Sequence, residues 1–257
     1  MKWFCSTNEQ SIKEFKYYQD ILCVAFKSSI GLKDVERYLI YNGNENIDII
    51  KKLKDYGVII LQHEVKLSQF FKEYYKNDNG KLRIALGAYG RVDIPIICKK
   101  FGFTDKFVLY TDCDVMIKSF DGLTNQTPNY FSCSPEFSKT PNGHVNTGVM
   151  YINVNKMAET YDFFIDFCKN NQHLSAFDQG CINQFYKNKW DNLPIEYNWK
   201  PYWGYNEDAK IIHFHGPKPE HAKHDKKTLP QAYQQLMTTG YELYCKEFYK
   251  ILGENNE

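Results

Sequence analysis

The sequence of 257 residues lacks three features that would assign a protein class at once: a large net charge, a long apolar run and a paired-cysteine motif. Its 32 basic and 31 acidic residues leave a net charge of +1, which gives no reason to expect binding to nucleic acid or to an anionic membrane. No run approaches the ~18 consecutive apolar residues of a membrane span. The N-terminus turns polar at Ser6, which does not fit the apolar core of a signal peptide.

Eight cysteines are scattered along the chain without a C-x-x-C pair or a zinc-type spacing. We therefore expect reduced, mostly buried thiols in a reducing compartment, which predicts a cytoplasmic protein; a secreted disulfide framework is the alternative. The composition is 43% hydrophobic and 16% aromatic, so a sizeable core is available. The length fits one large domain or two small ones.

Strands and helices alternate in the first half of the predicted structure. Apolar periodicity predicts strands at residues 2–5, 37–41, 58–61 and within 107–117, and helices at 11–29, 47–56, 67–75 and, in two pieces, 82–100. Such alternation favours a mostly parallel sheet with right-handed crossovers. Further on, the pattern predicts strands at 130–134, 149–153 and 209–215, an extended aromatic stretch at 195–203, and helices at 153–169, 176–187 and 229–252.

Two carboxylates interrupt the apolar stretch from Phe107 to Ile117. Side chains alternate along an extended chain, so Asp112 and Asp114 point the same way and Cys113 points the opposite way. Two carboxylates on one side repel each other unless a cation lies between them, and Mg²⁺ and Mn²⁺ prefer oxygen ligands. The pair is therefore a candidate metal site that holds a diphosphate. The alternative is a pair of turn or cap residues on a solvated strand end.

A second informative stretch is His213-Phe214-His215-Gly216-Pro217-Lys218-Pro219. His213 and His215 share one face of a predicted strand, Gly216 allows close backbone approach, and Lys218 offers a charge that suits phosphate. An imidazole could complete a Mn²⁺ sphere with the two carboxylates. The alternative is two surface histidines before a Gly-Pro turn.

Several segments, in their order along the chain, resemble the family-8 glycosyltransferases, the family of glycogenin and the lipopolysaccharide galactosyltransferases. The resemblance covers about residues 1–220 and rests on Arg91-Val92-Asp93-Ile94-Pro95, Tyr110-Thr111-Asp112-Cys113-Asp114, Asn146-Thr147-Gly148 with the strand that follows, Asp178-Gln179, and the histidine stretch. It implies an α/β GT-A fold, a Rossmann-like nucleotide-diphospho-sugar transferase with a mixed central sheet. The expected organisation is a single domain over residues 1–257, with a nucleotide-binding half (1–117), an acceptor and metal-completing half (118–220) and a C-terminal helical segment (221–257).

The resemblance also implies a retaining transfer of a hexose from a UDP-sugar donor, with Mn²⁺ (or Mg²⁺) as cofactor and a carbohydrate or protein hydroxyl as acceptor. Asp112, Asp114 and His213 would bind the metal, with His215 as a competing ligand. The implied donor contacts are Ser6, Thr7 and Asn8 at the nucleoside, Arg91, Asp112 near the ribose or sugar, Cys113 between the two acids, Asn146 at the sugar, and Gly216 and Lys218 at the diphosphate. Asp178 and Gln179 would be the catalytic pair beside the reacting face.

The chain departs from the family pattern at two places. One residue separates Gly216 from Lys218 where two are common, and Glu220 stands where an aromatic residue is common. Other classes remain open: a nucleotide-sugar-binding protein without activity, and a haloacid-dehalogenase-type phosphatase, whose aspartate motif normally opens the chain. Residues 197–203 could stack on a sugar ring or belong to the core.

Overall fold

A seven-stranded sheet forms the centre of the computed structural model, which describes residues 1–253. The strands are β1 (Lys2–Asn8), β2 (Glu36–Asn42), β3 (Val58–Gln62), β4 (Phe107–Thr111), β5 (Val115–Ile117), β6 (Phe131–Pro135), β7 (Val145–Asn153), β8 (Asp191–Asn192) and β9 (Ile211–His213). The helices are α1 (Glu9–Glu14), α2 (Lys16–Lys27), α3 (Asp48–Asp55), α4 (Ser68–Tyr74), α5 (Asn79–Ala88), α6 (Ile94–Phe101), α7 (Val154–Asn170), α8 (Phe177–Phe185), α9 (Gln231–Leu236) and α10 (Thr239–Leu252).

The strand order in the main sheet is β3-β2-β1-β4-β7-β6-β8. Strands β1 to β4 pair in parallel, whereas β7 runs antiparallel to both of its neighbours, β4 and β6. A second, two-stranded antiparallel sheet joins β5 to β9. The predicted fold class, an α/β GT-A architecture with a mixed central sheet, is confirmed.

Both faces of the main sheet are covered around β1, β2 and β4, which explains the continuous apolar runs Trp3–Cys5, Tyr38–Tyr41 and Phe107–Tyr110. On β1, Trp3 and Cys5 face a cluster that includes residues of α2 and α10, while Phe4 faces a cluster that includes residues of α6 and α7. All three side chains are completely buried. The main sheet therefore fixes the strand ends that carry the candidate site residues.

Several element boundaries differ from the sequence prediction. Strand β1 continues through Asn8 rather than ending at Cys5, because residues 6–8 pair with β2 up to Asn42. The predicted helix 11–29 is two helices, since Phe15 has an extended backbone between α1 and α2. Strand β7 begins at Val145, so residues 146–148 lie inside it instead of before it.

The second half of the chain is less regular than predicted. The stretch 195–203, predicted as extended, contains short 3-10 turns at Ile195–Asn198 and Pro201–Trp203. The predicted terminal helix is interrupted between α9 and α10, and the last four residues of the predicted segment 221–257 lie outside the described residues. Within residues 1–253, no helix is both long enough and apolar enough to cross a membrane.

Candidate active site

Two sheets meet where Asp112 and Asp114 lie. Strand β4 ends at Thr111 and β5 begins at Val115, so both acids occupy the bend between the two sheets. The antiparallel register of β5 and β9 places His213 opposite Val115. The backbone N–H of Asp112 donates to Gly148 O at 2.7 Å, and the N–H of Phe214 donates to Asp114 O at 2.9 Å. Backbone pairing alone thus brings β4, β7 and β9 together at this point.

Asp112, Asp114 and His213 form a compact cluster in which one ligand atom of each lies within 4.8 Å of the others. His213 Nε2 lies 3.4 Å from Asp114 Oδ1 and 3.8 Å from Asp112 Oδ2. Cys113 points away and is buried, with its thiol donating to Ser6 O at 3.3 Å, as the alternation predicted. The structure brings His213, and not His215, to the two carboxylates.

A chain of hydrogen bonds that begins at the backbone determines the tautomer of His213. The N–H of Gly148 donates to Asn146 Oδ1 at 3.2 Å, and Asn198 Nδ2 donates to the same oxygen at 3.0 Å. Asn198 Oδ1 therefore faces His213 Nδ1, at 3.0 Å. Because this oxygen can only accept, Nδ1 carries a proton, so the tautomer that this contact favours has its lone pair on Nε2, the nitrogen that faces the two carboxylates.

This arrangement fits a divalent cation. Two carboxylates and an imidazole lone pair that face one another repel unless positive charge lies between them. Carboxylate oxygens with one imidazole suit Mn²⁺ well and Mg²⁺ less well. Gly148 is required for the arrangement, because a Cβ atom there would lie 2.1 Å from His213 Cε1. A neighbouring amide that fixes the tautomer is typical of metal-binding histidines.

Lys218 supplies the positive charge that lies nearest to the cluster. Its Nζ contacts Asp114 Oδ2 and donates to Phe214 O at 2.8 Å. Burial disfavours ionisation of Asp114, but the charge of Lys218 holds the pKa of this carboxyl well below its usual range. Gly216 has φ of 89°, a backbone conformation that favours glycine, and it turns the chain between β9 and Lys218.

Arg91 joins the metal-candidate acid to the predicted catalytic acid. Its guanidinium contacts Asp112 Oδ1 through Nη2 at 2.7 Å and Asp178 Oδ2 through Nε at 2.8 Å. Its Nη1 donates to the hydroxyl of Thr147 at 2.9 Å and also to the Thr147 carbonyl. Burial opposes the charge of Arg91, yet the two carboxylates raise its pKa above the ordinary value. Arg91 thus forms an ion pair with each of the two acids while it lines the cavity.

Asp178 and Gln179 lie in the first turn of α8, after a sharp turn in which Ala176 and Phe177 have φ of 60° and 52°. Asp178 is buried, and this burial raises its pKa to about 6, although Arg91 acts in the opposite direction. Gln179 Oε1 accepts hydrogen bonds from Asn146 Nδ2 at 3.1 Å and from the Thr147 N–H at 3.0 Å. The amide nitrogen of Gln179 therefore points the other way, towards Glu136 Oε1 at 2.7 Å.

A cavity of about 520 Å³ collects most of the predicted site residues. Its lining includes Ser6, Arg91, Asp112, Cys113, Asp114, Asn146, Asp178, Gln179 and Lys218. Thr7, Asn8 and Gly216 are not part of this lining, and neither is His213. Asn8 instead caps α1, accepting from the Ser11 N–H at 2.9 Å, and donates to Arg83 O at 2.9 Å. The predicted donor contacts of these residues remain predictions.

Several residues in and behind the cavity were not predicted from the sequence. Glu136 lines one wall, and Phe15 and Tyr17, from the start of α2, line another. Asn198 lies behind His213, completely buried. Glu136 lies in the loop 135–143, which is rich in proline, glycine and asparagine, and this composition was a signal for a functional loop. For Asn198 the sequence carried no comparable signal, because its partners are distant in the chain.

Comparisons with known proteins give the fold. No family model and no curated protein sequence matches the chain. Among solved structures, galactosyltransferase LgtC in complex with donor and acceptor sugar analogs superposes with a TM-score of 0.68 at 15% identity, over 98% of this chain and 95% of LgtC. Glycosyltransferase GlyE of Streptococcus pneumoniae TIGR4 gives 0.61 at 16% identity, over 98% of this chain and 62% of GlyE. Mouse xyloside xylosyltransferase 1 gives 0.54 at 13% identity, over 83% of this chain and 96% of that protein.

These similarities agree with the family-8 resemblance that the motifs indicate, and they give no support to the phosphatase alternative. The chain has the GT-A fold of glycosyltransferases.

Proposed function

We propose that the protein is a metal-dependent glycosyltransferase that moves a hexose from a UDP-sugar to an acceptor hydroxyl with retention of configuration. The observation that carries this proposal is the cluster of Asp112, Asp114 and His213 beside the cavity, with the His213 lone pair directed at the two carboxylates. The GT-A fold supports the assignment, since this fold holds nucleotide-sugar donors. In this proposal residues 1–257 act as one domain.

Asp112, Asp114 and His213 would hold Mn²⁺, or less favourably Mg²⁺. A cation bound there would supply positive charge that stabilises the leaving diphosphate. Lys218 adds a second positive charge at the same place, because its Nζ already lies against Asp114. Ser6 lines the same cavity with Phe15 and Tyr17, whose rings offer aromatic faces to a uracil base.

The transfer forms a bond between the acceptor oxygen and the anomeric carbon and breaks the bond from that carbon to the diphosphate oxygen. The acceptor proton leaves with the diphosphate. We favour attack on the same face as departure, because neither predicted catalytic side chain is arranged as a nucleophile. Gln179 Oε1 already accepts from Asn146 and Thr147, and Asp178 is paired with Arg91. Gln179 thus orients the donor site without forming a covalent bond.

The experiment is release of UDP from a panel of UDP-sugars without acceptor, with Mn²⁺ or with chelator. We expect Mn²⁺-dependent release from one UDP-hexose and at least about a 100-fold loss in Asp114→Ala, since one ligand of the cluster is removed. Asp166→Asn, an exposed acid of α7, is the matched control. Binding of UDP that depends on Mn²⁺ but gives no release, even with acceptors, would instead favour a donor-binding protein without activity. If the protein shows neither Mn²⁺-dependent binding of UDP nor release of UDP, the metal-site assignment is refuted.

A further inference from the structure

The loop that follows β6 is fixed by side chains of one short segment. Three consecutive carbonyls accept hydrogen bonds: Pro135 O from Lys200 Nζ at 2.9 Å, Glu136 O from the Tyr202 hydroxyl at 3.3 Å, and Phe137 O from Trp203 Nε1 at 2.8 Å. Lys200 is completely buried beneath the loop. These three hydrogen bonds hold the backbone of the loop, so Glu136 and Phe137 are presented on a fixed main chain.

Glu136 faces the cavity with capacity for further hydrogen bonds. Its Oε1 accepts from Gln179 Nε2 at 2.7 Å, and His215 Nε2 lies 3.8 Å from the same oxygen, too far for a direct hydrogen bond. Both groups line the cavity, where a ligand hydroxyl could lie between them.

Phe137 adds an apolar surface beside these polar groups. Its side chain is 59% exposed, although it is aromatic, and its ring centroid lies 5.1 Å from that of His215. An exposed aromatic ring, together with a carboxylate and an imidazole beside it, offers the two kinds of contact that a pyranose can make. The ring can cover the C–H face of the sugar, and the polar groups can bind its hydroxyls.

We propose that Glu136, Phe137 and His215 form the acceptor subsite and that the acceptor is a pyranose sugar, not a protein side chain. This inference rests on the proposed glycosyltransferase function and names the acceptor class of the same site. A single serine or tyrosine hydroxyl would leave most of this surface without a partner, whereas a sugar presents several hydroxyls on adjacent carbons. The contact between Gln179 and Glu136 places the subsite directly beside the proposed catalytic pair.

The test compares UDP release with three additions: none, a panel of methyl pyranosides, and a peptide that contains serine and tyrosine. Mass spectrometry identifies the product. We expect at least one pyranoside to raise the rate above acceptor-free release and to gain one hexose. In Glu136→Gln and in Phe137→Ala, the half-saturating pyranoside concentration should rise at least about tenfold. Phe163→Ala, which removes another exposed phenylalanine, at 74% exposure, is the matched control.

The outcomes separate this inference from the proposed function. Hexose transfer to the peptide with no effect of any pyranoside would overturn the acceptor assignment and leave the proposed function standing. Unchanged half-saturating concentrations in both variants would overturn the role of the loop. Absence of acceptor-free release from every donor, together with absence of transfer, would overturn both proposals. Thermal melting of each variant shows whether it is folded, and Glu136→Gln keeps the side-chain shape.

Discussion

The two ends of the cavity are fixed in opposite ways. The metal-candidate end is the one beside Asp112, Asp114 and His213. There, backbone pairing of four strands sets the positions of these residues, and a hydrogen-bond chain from the Gly148 N–H orients His213. At the proposed acceptor end, the side chains of Lys200, Tyr202 and Trp203 fix the backbone of a loop. A backbone-defined site tolerates little change, whereas a loop defined by side chains can differ between proteins that share a fold. The contrast suits a common donor chemistry with a variable acceptor.

Among the variants considered, Gly148→Ala should reduce metal binding at the metal-candidate end the most. The added Cβ would lie 2.1 Å from His213 Cε1, so the imidazole must leave the carboxylates or β7 must shift. We expect Mn²⁺ affinity, measured by calorimetry, to fall at least about 100-fold and stability to fall by about 1–3 kcal/mol. Gly31→Ala is the control, because nothing lies within 4 Å of a Cβ there. Wild-type Mn²⁺ affinity in Gly148→Ala would contradict the role of His213 as ligand.

Asn198→Ala should have a smaller effect at the same end. It removes the oxygen that holds the proton on His213 Nδ1, so the ring can adopt the tautomer whose Nε2 carries hydrogen. We expect Mn²⁺ affinity to fall about 10- to 100-fold. The matched control is Asn183→Ala, since Asn183 makes comparable hydrogen bonds to Val145 but does not touch His213. Equal losses in the two variants would mean that β7 is disturbed generally.

Lys200→Met tests the acceptor end through the pH dependence of stability. Burial lowers the pKa of Lys200 to about 7. Between this value and the ordinary lysine pKa, the unfolded chain binds more protons than the folded protein, so stability rises with pH. From pH 7 to 9, the free energy of unfolding of the wild type should rise by about 2 kcal/mol more than that of Lys200→Met, as measured by urea unfolding.

The control for this comparison is Lys189→Met, because Lys189 is exposed and should give no such difference between the two pH values. We also expect Lys200→Met to raise the half-saturating acceptor concentration less than about tenfold, since two of the three loop anchors remain. A pH-independent difference between wild type and Lys200→Met would show that burial does not lower the pKa of Lys200 in the folded protein.

Sequence patterns were most informative where contacts are local or repeat regularly. Alternation predicted that Asp112 and Asp114 would point together and Cys113 away, and the structure agrees. It could not separate His213 from His215, because both were expected on one strand face. The antiparallel register, which pairs Val115 with His213, brings His213 to the two carboxylates, whereas β9 ends before His215. The stretch 195–203, predicted as extended, is extended at Trp199 and Lys200 only, because the turns on either side pack against β6, β7, β9 and α10.

The sequence by itself determined the α/β alternation, the order of the motifs and the chemical identity of the candidate ligands, since these follow from apolar periodicity and residue type. Only the tertiary structure decided that Asn198 sets the His213 tautomer, that Arg91 pairs with Asp112 and Asp178, and that Glu136 contacts Gln179. Each of these contacts joins residues more than ten positions apart. Such pairings depend on strand register and loop position, which no local pattern encodes.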